Sequence, residues 1–491
     1  MKHIDFNNKQ LEIIDGPFDA NVESLRQYKC PEWYNDAKFG VWAHWGPQAV
    51  PCAGDWYARN MYEEGSVQYK YHLENYGHPS KFGYKDIVKL WRAENFDPES
   101  LLKLYKKAGA KYFLALGVHH DNFDCWDSKY HRWNSVEMGP GKNIVQMWRE
   151  ATLKEGLRFG LSEHHERSYS WFNTNKGCDK EGPYAGVPYD GNDPAYVDFY
   201  YEQHDDTNYA YPKNPPPHFV ENWYLRTKDL IDRYHPDIVY MDGGVPFDEV
   251  GFAMIANYYN GNIKHNGKLE AVHLLKDIEH IYPGHGVFYK GIGTEDYEMG
   301  IADKITSEPW QSGTHVGDWM YNRFIEYKPV IHIVHQLIEI VSKNGNLMLA
   351  LPPRPDGTLD DGCINILSEM GEWLAINGDA IYSTRPWKVY GEGTAKASAG
   401  AYQEDVTKYS PVDFRFTKKG NKIYAFFMEW SDDNKLLIKS LSADGKNEKI
   451  SSVSLLGYDD KIEWKQEAAG LNIILPNLKP CKYAWALEIS V

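Results

Sequence analysis

Residues 220–244 read VENWYLRTKDLIDRYHPDIVYMDGG, and this stretch decides the fold. From Val220 to Tyr234 apolar residues recur at helical spacing. After His235-Pro236 the pattern turns to a short apolar run, Asp237–Met241, of the kind a strand buried on both faces requires. The same unit repeats along the chain. Pro98–Ala108 precedes Lys111–His119, Asn143–Glu155 precedes Leu157–Leu161, and Pro329–Ser342 precedes Leu347–Leu351. Phe39–Trp45, Leu269–Leu275 and Lys304–Trp310 supply three more runs. Helix and strand in alternation imply parallel strands with crossover helices. The series predicts an α/β fold, a (β/α)8-like barrel rather than a doubly wound sheet. No GxGxxG or GxxxxGK[ST] follows any run, which argues against nucleotide binding.

After Trp387 the character changes. Asp413–Thr417, Lys422–Trp430, Lys435–Ser440, Ser451–Leu456, Leu471–Leu475 and Tyr483–Ile489 read as short strands, separated by Lys-Lys-Gly-Asn, Asp-Asp-Asn and Asp-Gly turn signals. A C-terminal antiparallel β-sandwich is expected, joined through the Gly-, Ala- and Ser-rich segment 391–400. The expected division is an N-terminal segment at 1–30, the catalytic barrel at 31–390 and the sandwich at 391–491. The stretch 169–217 reads as an extended loop, a length that often carries function.

Composition narrows the function. The 491-residue chain has a formal net charge of -16. Such a surface repels phosphate backbones and anionic lipid, so neither nucleic acid nor membrane is expected as a partner. No stretch is long and apolar enough to span a bilayer. Met1–Gln10 has no signal-peptide pattern, so the compartment stays open: secreted or periplasmic if a leader has been removed, otherwise cytoplasmic. Oligomeric state is not legible. Six scattered cysteines without a CxxC suggest neither a disulfide scaffold nor a zinc site. Aromatic residues make up 15%, which suits a cleft for sugar rings as well as a core of large residues.

Barrel enzymes place their chemistry at the C-terminal ends of the strands. There the chain has His44 after Phe39–Ala43 and His119-His120-Asp121 after Tyr112–Val118. Glu163-His164-His165 follows Phe159–Leu161, and Asp242-Gly243-Gly244 follows Ile238–Met241. Asp242 is the sharpest candidate. It ends a buried strand, and the two glycines are expected to let the backbone turn and leave room for a ligand. Asp55 and Trp56 form an aromatic and carboxylate pair beside Trp42 and Trp45. A second acidic cluster, Glu295, Asp296 and Glu298, reads by itself as a solvated acidic turn and in this setting as a loop over the site, followed by Trp310, Gln311, Asp318 and Trp319. Two carboxylates from separate barrel loops, set among Trp and His, suit glycoside hydrolysis.

These motifs resemble the α-L-fucosidases of glycoside hydrolase family 29, from about Tyr34 to Trp387. The matching blocks are Lys-Phe-Gly-Val-Trp-Ala-His-Trp-Gly-Pro (38–47), Asp-Trp-Tyr (55–57) and Ala-Gly-Ala-Lys-Tyr through His-His-Asp-Asn-Phe (108–123). Trp-Asp-Ser-Lys-Tyr (126–130), Trp-Asn-Ser-Val (133–136) and Tyr-Met-Asp-Gly-Gly (240–244) follow. Val-Ser-Lys-Asn-Gly-Asn-Leu (341–347) and Asn-Gly-Asp-Ala-Ile-Tyr-Ser-Thr-Arg-Pro-Trp (377–387) complete the series. The resemblance implies an exo-acting, retaining, metal- and cofactor-free release of α-L-fucose from fucosylated oligosaccharides. It places Asp242 at the nucleophile, His44, His119 and His120 at the sugar hydroxyls, and Trp56 in the pocket wall. Asp55 stands where relatives commonly have Glu. The proton donor falls in a loop often written Thr-Pro-Glu. Here Thr294-Glu295-Asp296 puts Asp296 at that position, with Glu298 and then Glu295 as alternatives. Gln311 stands beside Trp310 where many members have Glu, and Glu163-His164-His165 replaces a Tyr- and Ser-rich stretch. Trp310 and Trp319 are the expected platforms for the fucose methyl. The competing readings are an α-L-galactosidase, a metal-dependent hydrolase using His44, His119, His120 and Asp242, and a sugar-binding barrel that has lost its proton donor.

Overall fold

The computed structural model describes residues 2–443 and 449–491. Its centre is an eight-stranded sheet. In chain order the barrel strands are β1 Phe39–Ala43, β2 Tyr112–Val118, β3 Arg158–Glu163 and β4 Ile238–Met241, then β5 Val272–Leu275, β6 Thr294–Glu295, β7 Trp310–His315 and β8 Gly345–Ala350. They lie in the order β6-β5-β4-β3-β2-β1-β8-β7, every pair parallel. The two ends of that order meet at a parallel bridge between Asp296 and Gln311, so the sheet closes into a barrel. The N–H of Tyr297 donates to the Gln311 carbonyl (2.8 Å), and that of Met299 to the Gly313 carbonyl (2.8 Å).

The crossover helices include α1 Pro98–Lys107, α2 Ile144–Lys154, α3 Pro217–Tyr234, α4 Glu249–Asn266, α5 Val330–Ser342 and α6 Asp361–Asn377. The starts of α1 and α2 are capped by their own sequence. Asp97 and Asn143 accept from the backbone N–H groups of Ser100 and Gln146, satisfying donors that a helix start leaves open. The strands β1, β2, β4, β5 and β8 are buried on both faces. Inside the barrel Trp42, Tyr112, Leu114, Ile238, Tyr240, Leu274 and Met348 form one cluster. Gly40 is required there: a Cβ on it would stand 2.1 Å from the Tyr112 ring.

Three expectations need correction. The strand missing from the seven expected runs, β6, has no apolar run. Its residues Thr294 and Glu295 are barrel wall, and the supposed loop over the site begins only beyond them. The run Lys304–Trp310 is not a strand; β7 starts at its last residue, because Trp310 rather than the polar residues before it is buried against the wall. The long stretch 169–217 is not open loop but a succession of short helical turns built round Trp171, Phe172, Phe199 and Tyr200, all fully buried.

The C-terminal part has a five-stranded antiparallel sheet in the order Arg385–Glu392, Phe414–Lys419, Lys422–Phe427, Trp485–Ser490, Ser452–Leu455. A three-stranded sheet of Lys435–Ile438, Gly470–Ile474 and Glu463–Glu467 accompanies it. Its core includes Phe414, Phe416, Phe427, Leu471 and Leu487. The boundary expected at 390/391 falls inside the strand Arg385–Glu392, which pairs with Phe414–Lys419. The Asp-Gly turn expected at 444–445 lies outside the described residues. The sandwich grips α5: Arg415 donates to Glu339 (2.5 Å), and the Tyr409 hydroxyl donates to the same oxygen (2.9 Å).

One buried pair fixes the chain just beyond β2. Arg226 of α3 donates to both carboxylate oxygens of Asp124 (3.1 and 2.5 Å) and to the side chain of Asn122 (2.7 Å). Both charges are fully buried, so removing one strands the other. Arg226→Met should lower unfolding stability by about 3–5 kcal/mol, read by urea denaturation against the unaltered protein.

Candidate active site

A cavity of about 500 Å3 opens at the C-terminal ends of the strands. Trp42 and Tyr240, from the last turns of β1 and β4, pack against each other with ring centroids 4.8 Å apart and line it. Its walls come from the segments that follow the strands: His44 after β1, His119 and His120 after β2, His164 and Arg167 after β3, Asp242 after β4, Glu298 after β6 and Trp319 after β7.

Asp242 stands at the centre. One carboxylate oxygen contacts the Lys276 ammonium, which follows β5. The other lies 3.0 Å from Arg167, 3.3 Å from His120 and 3.7 Å from His164. Its backbone is held as well, with its N–H donating to Glu166 (3.2 Å) and its carbonyl accepting from Arg167. Burial alone would raise the Asp242 carboxyl, but Arg167 and Lys276 outweigh it and hold the group well below the usual carboxylate range. The side chain is therefore ionised across the physiological range. Contrary to the expectation from sequence, Gly243 and Gly244 do not leave room for a ligand. A Cβ on Gly243 would meet the Tyr211 hydroxyl at 2.4 Å, and one on Gly244 would meet the Gly286 backbone at 2.6 Å. The glycines let the segment 285–287 pair against the strand end, with Gly244 N–H donating to the His285 carbonyl (2.7 Å).

Lys276 is fully buried and also contacts Glu298. Burial would lower its ammonium, but Asp242 and Glu298 raise it well above the ordinary value. One cation thus touches two carboxylates. Their nearest oxygens lie within two hydrogen-bond lengths, about 6 Å at most. Two carboxylates this close are compatible with the spacing of about 5–5.5 Å in retaining glycosidases.

The acidic segment resolves by strand geometry. Asp296 and Glu298 are two residues apart and share a face. Asp296 is one layer deeper, closing the barrel: its Oδ1 accepts from the Gln311 side chain (2.9 Å) and the Gly313 N–H (3.0 Å). Burial pushes its carboxyl up to about 7. Glu298 stands one layer higher and lines the cavity. Of the two residues expected from the motif, Glu298 and not Asp296 therefore lines the cavity. Gln311, where relatives are expected to carry Glu, is the partner that Asp296 needs. Tyr297, between them, faces the other way and meets the Trp310 ring edge-on at 5.2 Å. Trp310 itself lies within the wall, its indole N–H donating to the Lys343 carbonyl (3.0 Å), and does not line the cavity; Trp319 does.

The histidines are held neutral. Burial lowers His44, His119 and His164, and takes His120 down to about 3. The Gln48 amide donates to His119 Nδ1 (2.7 Å), which leaves Nε2–H to donate into the cavity. His120 Nδ1–H donates to the His164 carbonyl (2.8 Å), and its Nε2 faces the Asp242 carboxylate at 3.3 Å. Both ring nitrogens of His44 and one oxygen of Asp55 are buried without a hydrogen-bond partner. Buried polar atoms normally have partners, so these mark unmet capacity for a polar ligand. Burial, and then the nearby Asp318, raise the Asp55 carboxyl well above its usual value. Trp56 adopts a left-handed backbone (φ 61°), a conformation uncommon outside glycine and concentrated at functional sites, and its ring lines the cavity.

Of the three residues Glu163-His164-His165, only His164 reaches the cavity. Glu163 accepts from the Trp223 indole (3.1 Å), and His165 meets Arg226 (2.8 Å). Sequence reading passed over Lys276, Arg167 and Tyr402. A lysine one residue beyond an apolar run was the available sign for the first. For Tyr402, which arrives from the connector to the sandwich, there was none. Two sets of donors, His119 with His120 and His164, and His44 with Asp55 and His119, have ligand atoms within 4.8 Å of one another. The oxygens of Asp242, however, already face two cations, Lys276 and Arg167, which disfavours a metal ion beside it.

The family model for α-L-fucosidase matches residues 6–379, and that for the α-L-fucosidase C-terminal domain matches residues 403–490. Plasma α-L-fucosidase of Homo sapiens is 28% identical, the alignment covering 96% of this chain and 92% of the relative. Tissue α-L-fucosidase of Rattus norvegicus is 26% identical, over 95% and 91%. The structure of Thermotoga maritima α-fucosidase in complex with a mechanism-based inhibitor superposes with a TM-score of 0.75 at 26% identity, covering 96% of this chain and all of that one. From the barrel through the sandwich, the chain belongs to the α-L-fucosidase family.

Proposed function

We propose that the protein is an exo-acting retaining α-L-fucosidase. The observation that carries this reading is the single buried ammonium of Lys276 in contact with both Asp242 and Glu298. Asp242 attacks the anomeric carbon while Glu298 protonates the departing glycosidic oxygen, giving a glycosyl ester on Asp242. In the second step Glu298 takes a proton from water, the water oxygen bonds to the anomeric carbon, and the ester bond breaks. Forming the ester removes the charge on Asp242. Lys276 is then left facing Glu298 alone. The ammonium stays beside whichever carboxylate carries the charge.

His44, His119, His120 and Asp55 supply donors and acceptors for the sugar hydroxyls, and Trp56 and Trp319 supply apolar ring faces. The hydroxyl contacts strengthen as charge develops in the transition state. A cavity backed by Trp42 and Tyr240 admits the end of a chain rather than its middle, which supports exo action on fucosylated oligosaccharides.

Asp242→Ala should lower turnover of an aryl α-L-fucoside at least about a thousandfold. With the unaltered enzyme, a 2-fluoro-fucosyl fluoride should leave its adduct on the Asp242 peptide by mass spectrometry; an adduct on any other residue refutes the assignment. Glu298→Ala should depress a natural linkage far more than an activated fluoride, and azide should restore part of the rate. Asp296→Asn should lower both substrates alike. For Lys276→Met, the low-lying Asp242 carboxyl loses one of its two cations. The acidic limb of kcat/KM, below which Asp242 is protonated, should move up by about 1–3 pH units.

A further inference from the structure

The connector 393–413 runs between the first two strands of the sandwich, Arg385–Glu392 and Phe414–Lys419, and does more than join them. Part of it lies alongside the segment that carries Glu298. Gly400 N–H donates to the Ile301 carbonyl (2.8 Å), Tyr402 N–H to the Glu298 carbonyl (2.7 Å) and Glu404 N–H to the Met299 carbonyl (2.8 Å). The approach is close enough that a Cβ on Gly300 would stand 1.9 Å from the Gly400 carbonyl oxygen. Tyr402 takes a left-handed backbone (φ 59°), a strained choice for a tyrosine. The result is that its hydroxyl donates to Glu298 Oε2 (2.8 Å) and its ring lines the cavity.

The connector is anchored beyond this point. Glu404 accepts from the Thr314 hydroxyl of β7 (2.6 Å), pairs with Lys328 and meets His332 of α5 (3.2 Å). Burial would raise the Glu404 carboxyl, but His332 and Lys328 hold it well below the ordinary range. Tyr402 is thus gripped on one side by the backbone of the segment 298–301 and two residues later by a half-buried ion pair. It falls between the two matched spans, 6–379 and 403–490, so neither family model includes it.

We infer that Tyr402 is a positioning residue for the proton donor: the connector delivers its hydroxyl to Glu298 and fixes which oxygen of that carboxyl faces the leaving group. With Oε2 engaged by Tyr402 and Lys276, Oε1 is left to transfer the proton. The Tyr402 ring meets Tyr282 edge-on at 5.1 Å, so the pair also borders the side from which the leaving group departs. This inference rests on Glu298 as the acid and base.

Tyr402→Phe keeps the ring and removes the hydroxyl. The test compares kcat/KM on a fucosyl disaccharide, whose leaving group needs protonation, with kcat/KM on α-L-fucosyl fluoride, whose leaving group needs little. Loss of one hydrogen bond to a charged group should lower the disaccharide value about tenfold and the fluoride value by about twofold at most. An equal fall on both substrates, or no fall on the disaccharide, overturns the inference. Glu298→Ala, assayed on the same pair, separates the layers. If it does not favour the fluoride, the assignment of Glu298 is wrong and the inference goes with it. If it does while Tyr402→Phe does not, only the role of Tyr402 is refuted.

Discussion

A buried ammonium cannot stand in a protein interior alone. Taken out of water it needs negative charge within contact distance, and Lys276 finds it in Asp242 and Glu298 at once. This requirement organises the mouth of the barrel. It draws the ends of β4, β5 and β6 to one point and fixes the spacing of two carboxylates. Together with Arg167 it keeps one of them ionised despite its burial. The surrounding histidines are neutral because the same burial works against them without a comparable compensation. Charge in the cavity is therefore confined to a few groups, while the rest of the wall offers hydrogen bonds and aromatic faces.

The barrel's seam explains why its acidic residues divide their labour. β6 is two residues long and contributes little apolar wall. Closure against β7 is completed by the Asp296 carboxylate, which reaches the Gln311 side chain and the Gly313 backbone. Glu298, one inward position higher, faces the cavity instead. Two carboxylates of similar chemistry, on one face of one segment, are separated by a single layer of the barrel.

Much of this was legible in the sequence. The helix and strand units at Val220–Met241, Pro98–His119 and Asn143–Leu161 were readable because buried parallel strands are apolar throughout and their crossover helices are amphipathic. Asp242, His44, His119 and His120 could be placed because the fold puts function at strand ends. What was hidden has a common physical cause. β6 is too short and too polar to show a period, and without it the register of Glu295, Asp296 and Glu298 had no reference. Trp310 looked like a sugar platform because an aromatic residue beside a candidate site has the same one-dimensional appearance whether it faces cavity or wall. Gly243 and Gly244 signalled close approach correctly, but the approaching atoms belong to Tyr211 and the backbone at 285–287 rather than to a ligand. Lys276 showed only as a lysine just beyond an apolar run, and Tyr402 depends on contacts across a long chain separation that no local pattern encodes.

The path of the connector bears on how this molecule can be recombined. Its outline invites a cut where the barrel ends and the sandwich begins, near residue 392 or 403. Yet residues 400–404 are hydrogen-bonded to the barrel segment 298–301, while the strand Arg385–Glu392, earlier in the chain, already belongs to the sandwich. The polypeptide enters the second module, returns to the first, and leaves again. A chimaera that exchanges the sandwich by a single crossover would graft a foreign side chain into the heart of the donor's barrel, so the exchangeable unit is an interleaved one, with two junctions flanking the returning strand of chain.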